Sequence, residues 1–271
     1  MVTSSLVDSI PSLVELIDSI HNLPASPPSL YIDLEGINLS REGSISILQL
    51  LNHPKQHVYL IDIHLLGTTA FSTAGTNGET LPTILESPSI PKVIFDVRND
   101  SNALFFLYGI RLQGIQDIQL LELASRPGSL SRKKFIAGLA RCIENDAPIS
   151  AVEKKLWKEQ KDKGTLLFAP ERGGSYEVFN TRPLPQPIRD YCVQDLSFLP
   201  LLRAHYWGRI SAEWKGKVEV ATKERIAESQ TLAYQPRGRE KTLGPWQGPV
   251  GANKRLGAEN FMMRLDLFGG R

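Results

Sequence analysis

The chain has 271 residues, of which 41% are hydrophobic and 22% charged, and a formal net charge of +2. This suffices for one sizeable core and is the composition of a folded domain rather than of a disordered or fibrous chain. No apolar run reaches the roughly 18 residues of a membrane span, Met1–Ser5 lacks the basic region of a secretory signal, and two cysteines, Cys142 and Cys192, are too few for a disulfide framework. The expected setting is intracellular and reducing, cytoplasm or nucleus, with no membrane association.

The first predicted element is an amphipathic helix over Ile10–His21, with Pro11 tolerated in its first turn. Ala25–Pro28 breaks the chain before a strand in the run Ser29–Gly36, which carries Asp33 and Glu35 at i and i+2. Such residues share one face of a strand, where two like charges repel, so the pair reads either as a divalent-cation site or as a solvated strand end. Ser44–Leu51 and His57–Ile63 read as two strands antiparallel to the first, with His53 and His57 at the surface, and Gly67–Thr80, rich in Thr, Gly and Ala, as a loop. Leu81–Glu86 is a short helix, followed by a strand ending at Phe95. The apolar spacing over residues 102–107 then starts a helix with Asp100 in its first turn. Asp96 competes with Asp100 for a site role, and the strand end favours Asp100. Ile115–Ile118 is a last short strand, with Asp117 either supporting the site or capping the strand end.

From Ser131 onward the pattern is helical, apart from a Gly/Pro-rich link at Phe168–Pro187. The alternating charges of Lys154–Lys163 read as a solvated helical face. Pro187–Pro200 is a helix that places Tyr191 and Asp195, at i and i+4, on one side. Residues 1–206 are expected to form the main domain and 207–271 a basic tail that lies on it or is partly disordered. The tail holds a charged helix at Trp214–Gln230, a Pro/Gly-containing stretch at Tyr234–Gly251, and a final twenty residues without a core pattern. Trp207, Trp214 and Trp246 read as anchors of the tail, with base stacking as the alternative.

In chain order this gives Asp-x-Glu on a strand, Asp at a strand–helix junction, and Tyr-x-x-x-Asp on a late helix. Over about residues 28–205 the set resembles the DEDD superfamily of 3′–5′ exonucleases, in the branch with tyrosine in the third motif, of the RNase D and Werner-exonuclease type. Asp117-Ile-Gln119, Gly138-Leu-Ala140 and Arg182-Pro-Leu184 are weaker matches to runs of that family. The resemblance implies an α/β, RNase H-like fold, a mixed β-sheet flanked by α-helices. It also implies a two-ion Mg²⁺ or Mn²⁺ site. Asp33 would bridge the ions, Glu35 and Asp195 would complete the first site, Asp100 would hold the second through water, and Tyr191 would orient the attacking water. The expected activity is release of nucleoside 5′-monophosphates from single-stranded RNA or DNA 3′ ends, with RNA slightly favoured.

Charge distribution fits a polyanion partner. Residues 131–174 carry a local +4 and 203–271 a local +6, leaving about −8 for the remainder, which contains all four acids. Arg98, Arg132, Lys133 and Lys134 are the candidate phosphate contacts, and the tail is a candidate surface for a protein partner. The alternative is a catalytically silent nucleic-acid-binding or scaffold module on the same fold. That all five matched positions are filled favours the enzyme.

Overall fold

The computed structural model describes residues 2–246. Six strands form one mixed sheet in the order β1-β4-β3-β2-β5-β6: β1 (Thr3–Val7), β2 (Leu30–Glu35), β3 (Ile47–Asn52), β4 (His57–Asp62), β5 (Lys92–Ile94) and β6 (Ile115–Asp117). Period-2 alternation decides which side chain meets which layer. On β2, Leu30, Ile32 and Leu34 enter one apolar cluster and Tyr31 enters the other. Asp33 and Glu35 therefore lie on the Tyr31 face.

The Leu30 face is covered by α1 (Ile10–Ser19), α4 (Leu81–Glu86) and α5 (Arg98–Tyr108). The Tyr31 face is covered by α6 (Ile118–Ser125), α7 (Leu139–Asp146), α8 (Ala151–Phe168), α9 (Gln186–Ser197) and α10 (Leu199–Trp207), with α11 (Ala212–Ser229) adding Val218 and Ala221. Helix α9 buries Gln194 and, on the face turned to the sheet, Ile188, Tyr191, Cys192, Asp195 and Leu196. This is the i, i+3, i+4, i+7, i+8 stripe of a helix laid on a sheet. Two of its five members are polar and lie over the acidic end of β2.

Several sequence readings change in three dimensions. Strand β3 is antiparallel to β2, but β4 pairs antiparallel with β3 and so runs in the same direction as β2. The tight turn at residues 53–56, with Gln56 at φ 50°, folds β4 beyond β3 rather than beside β2. Strand β1, parallel to β4, has no counterpart in the sequence reading. Its hydroxyls bind the next strand: Thr3 Oγ1 and Ser5 Oγ stand 2.7 and 2.8 Å from the two nitrogens of His57. His57 is thus a half-buried strap for an edge strand, not a loose surface residue. The loop read at 67–80 contains a helical turn, α3 (Thr69–Ser72), after α2 (Ile63–Leu66), and buries Ala70 and Phe71.

The chain after Tyr206 continues along the molecule. Helix α11 packs on α5, α6 and β6. The segment after it returns across the end of the sheet: Tyr234 donates to Asn99 Oδ1 at 2.8 Å, Arg237 to Asn38 Oδ1 at 2.6 Å, and Gly244 N to Lys134 O at 2.8 Å. Trp246 meets Trp214 edge-on at 5.0 Å, and both, with Trp207, are partly buried against the apolar cluster of the Tyr31 face. Residues 247–271, which hold the end of the Pro/Gly-containing stretch and the final twenty residues read above as lacking a core pattern, lie outside the described residues.

Candidate active site

The five motif residues converge. Asp33 and Glu35 come from the end of β2, Tyr191 and Asp195 from one face of α9, and together they line a cavity of about 380 Å³ with Phe95, Gly138, Leu139, Ala140, Lys161 and Leu199. Asp100, in the first turn of α5, is 5% exposed, and the charges that bear on it include those of Asp33 and Glu35. A neighbouring chamber of about 530 Å³ shares Glu35 and is walled by Tyr176, Asn99 and the Gln235–Arg237 segment. A larger cleft of about 910 Å³ lies between α11 and the Arg111–Gln116 segment, and none of the five residues lines it.

The turn that aims Asp100 is built with care for its backbone. Asp96 sits at φ 62°, in the left-handed region that most side chains avoid. Asp117 Oδ1 accepts from Asp96 N at 3.1 Å and Asp117 Oδ2 from Val97 N at 3.4 Å, while Arg98 grips both oxygens of Asp96 at 2.6 Å. Arg225 of α11 closes the group, donating to Asp117 Oδ2 at 2.6 Å and lying 3.7 Å from Asp96 Oδ1. Asp96 is therefore a structural partner of arginine. Asp100 has no ion-pair partner among the described residues.

Electrostatics mark three of the four acids, Asp33, Glu35 and Asp100, as lacking a close counter-charge. Burial pushes the Asp33 carboxyl up to about 7, the Asp195 charge adds to it, and Lys161 pulls the other way. Glu35 is raised well above the carboxylate range by burial and then by Asp33 and Asp195, with Lys161 and the nearby Tyr191 hydroxyl opposing. Asp100 is raised by burial and by Asp33, Asp96 and Glu35. Tyr191 is pushed well above the usual phenol value by burial and then by Glu35 and Asp195, so it keeps its proton at neutral pH. Gln49, directly across from Asp33 in the β2–β3 pairing, is fully buried, and neither polar atom of its amide has a partner among the described residues.

These shifts predict a pH dependence for the metal-free protein. A carboxyl whose pKa is raised on folding holds a proton that the unfolded chain has released, so its stabilising contribution is complete below the unfolded pKa of about 4 and is lost as pH climbs through the folded value. For Asp33 that folded value is about 7. Thermal unfolding in chelator should give a Tm that falls between pH 5 and pH 8, with Mg²⁺ or Mn²⁺ cancelling the fall. A flat or rising profile would contradict the charge balance described.

Basic residues depart most from the sequence reading. Lys133 is 3% exposed, and its ammonium donates to the carbonyls of Leu123, Ala124 and Arg126, capping the end of α6. Arg98 is 8% exposed and committed to Asp96 and to the carbonyl of Lys241. Neither is free to meet a phosphate. Their charge serves internal acceptors, a use that a count of lysines and arginines does not distinguish from a surface patch. Arg132 and Lys134 are exposed, and neither lines the acid cavity.

The residue that sequence reasoning missed is Lys161. It stands on the face of α8 that meets α9, in the series Trp157, Lys161, Gly164, Phe168, and its ammonium reaches both oxygens of Asp195 at 2.8 and 2.7 Å. Gly164 permits the approach, because a Cβ there would lie 2.6 Å from Tyr191 Cβ. The missed signal is that stripe: a lysine at i+4 from a tryptophan and three before a glycine lies on the packed side, where a cation needs an acid.

The donor chemistry of four clustered, mutually repelling carboxylates suits hard divalent cations, although among the described residues no three His, Cys, Asp or Glu are arranged to hold a metal as they stand. The mixed six-stranded sheet between helical layers, with an acidic cavity at one end, is an α/β fold. The 3′-5′ exonuclease family model matches residues 6–207, well over half of the chain, which therefore belongs to that family.

The chain is 32% identical over 179 residues to the piRNA biogenesis protein EXD1 of Mus musculus, covering 64% of this chain and 28% of the mouse protein. It thus spans well under a third of that relative. Among solved structures, the Trypanosoma brucei RNase D complex with RNA U12 superposes with a TM-score of 0.66 at 20% identity, over 90% of this chain and 80% of that one. Brucella melitensis NrnC with bound Mg²⁺ superposes at 0.52 with 17% identity, over 84% and 91%. At these identities the two structures establish the fold.

Proposed function

We propose that the protein is a divalent-metal-dependent 3′–5′ exonuclease that releases nucleoside 5′-monophosphates from single-stranded ends, with RNA favoured over DNA. The observation that carries this reading is that Asp33, Glu35, Tyr191 and Asp195 line one cavity, with Asp100 buried within reach of their charges and three of the carboxyls raised by burial and then by neighbouring acids. Asp33, Glu35 and Asp195 would hold one cation, and Asp33 with Asp100 would hold a second. When bound, the two ions supply the Lewis acidity that lowers the pKa of a water and balances charge on the phosphoryl and leaving oxygens.

The chain's own groups do the rest. Tyr191, protonated at neutral pH, orients the attacking water through its hydroxyl rather than acting as a base. Phe95 and Leu199 contribute apolar wall to the cavity beside the acids. Exposed Arg132 and Lys134 remain proposed phosphate contacts along the strand. Residues 207–246 are proposed to act with the domain, through α11 and the segment after it.

RNA is favoured because the mouse relative is named for piRNA biogenesis and the trypanosomal RNase D was captured on RNA. Two buried free cysteines suit a reducing compartment, cytoplasm or nucleus; among the described residues no helix is long and apolar enough to cross a membrane. The test is initial rates on matched oligonucleotides that differ only in ribose or deoxyribose at the last two positions. Faster release of 5′-monophosphates from the ribose end supports the proposal, and a deoxyribose preference removes the RNA assignment.

One observation favours the second reading, a catalytically silent nucleic-acid-binding module: the ammonium of Lys161 occupies the oxygens of Asp195. Metal-independent RNA binding without cleavage would select it.

A further inference from the structure

We propose that Lys161 is a resident counter-ion of the acid cluster, seated on Asp195 while no divalent cation is bound, and that an incoming cation must displace it, so that Lys161 sets the affinity of the site for metal. The inference rests on the reading of the four acids as a metal site.

The contact is that of a built pair. Lys161 Nζ lies 2.8 and 2.7 Å from the two carboxylate oxygens of Asp195, whose side chain is 6% exposed. The ammonium also stands 4.7 Å from the ring of Tyr191 and 5.8 Å from that of Trp157, so aromatic faces steady it. Three other lysines of α8 point elsewhere: Lys154 donates to the carbonyl of Glu144, Lys158 pairs with Glu144, and Lys155 pairs with Glu159. Among the described residues, no ion pair reaches Asp33, Glu35 or Asp100. The cluster therefore has one short cationic contact, and it falls on a proposed metal ligand.

Displacement is physically accessible. The Lys161 side chain is 21% exposed, on a flexible four-carbon stem that can carry the charge out into the cleft. A dication brings twice the charge to the same oxygens and interacts with Asp33 and Glu35 as well, so it wins once present at sufficient concentration. Until then, only the fraction of molecules with Lys161 off Asp195 is competent to bind. Apparent metal affinity is lowered by that fraction. For a charge-assisted contact of this type the reduction is about tenfold or more.

The experiment is calorimetric titration of Mn²⁺ into the metal-free full chain, for wild type, Lys161→Met, Lys161→Arg and Asp33→Asn. Lys161→Met should bind Mn²⁺ about tenfold tighter. Its Tm should be lower than wild type in chelator and should recover on adding Mn²⁺. Lys161→Arg keeps the charge and should show no tightening. If Lys161→Met does not fold, Lys161→Gln, which keeps a polar stem without the charge, takes its place with the same expectation.

Unchanged or weaker binding in the neutral variant, with binding still lost in Asp33→Asn, overturns the role of Lys161 and leaves the metal site standing. Absence of Mn²⁺ binding in wild type, or binding indifferent to Asp33→Asn, overturns the metal site and the Lys161 inference together.

Discussion

Asp33→Asn is expected to lower exonuclease turnover by roughly a thousandfold or more while raising the thermal stability of the metal-free protein. The two effects have one cause. The Asp33 carboxylate is placed where burial and the Asp195 charge oppose its ionisation, pushing its pKa up to about 7. At neutral pH the folded protein therefore carries a partly disfavoured charge that an amide does not. The same charge is what a bridging metal ligand must supply, and losing metal-derived stabilisation of about 4 kcal/mol gives the thousandfold estimate. The substitution preserves size and the β2 backbone, whose flanking Leu34 and Ile32 remain in the apolar layer. Turnover is read from release of labelled 5′-monophosphate, and stability from melting in chelator. Retained turnover, or a lower Tm with lost turnover, would move Asp33 from the metal site to a structural role.

Arg225→Met is expected to destabilise the fold by about 3 kcal/mol and to lower activity although no atom of Arg225 lines the acid cavity. Arg225 is 6% exposed and donates to Asp117, which is wholly buried. Removing one member of a buried pair leaves an uncompensated charge, at a cost of about 3–5 kcal/mol. Three backbone N–H groups, from Asp96, Val97 and Gln119, still reach Asp117, which places the expectation at the lower end.

Activity should follow because Asp117 holds the strained Asp96 turn, and that turn sets the first turn of α5 with Asp100. Urea unfolding measures the first effect. The cycle with Asp117→Asn should give a double variant less destabilised than the sum of the singles. A change within about 0.5 kcal/mol of wild type, the range of an ordinary surface substitution, would show that α11 does not support the site.

What the sequence made legible follows from how local each signal is. Asp33 and Glu35 stand out because acids at i and i+2 share a strand face whatever surrounds them, and Tyr191 with Asp195 because i and i+4 share a helix face. The same periodicities supported an α/β core, whereas the mixed sheet between helices came from the family resemblance. Strand β1 was not: Thr3, Ser4 and Ser5 are polar, and the pairing that orders them comes from His57, more than fifty residues away.

Cations were the least readable residues. Lys133 caps three carbonyls, Arg98 clamps its neighbour Asp96, and Lys161 crosses a helix seam to Asp195. Each would score equally as a solvated charge or a phosphate contact, since the deciding partner lies elsewhere in the chain. The domain extent posed the same difficulty. The burial of Arg225 depends on Asp117 across 108 residues, and nothing near Arg225 in sequence announces it.

The most direct test of the central claim is a time course of 5′-labelled single-stranded RNA with the full chain in Mg²⁺, beside the same reaction in EDTA and the Asp33→Asn variant. A ladder shortening one nucleotide at a time from the 3′ end, absent in EDTA and in the variant, is the expected result. An undegraded RNA in Mg²⁺ with wild type, or an unchanged ladder with Asp33→Asn, would contradict the assignment of the buried acids as the catalytic centre.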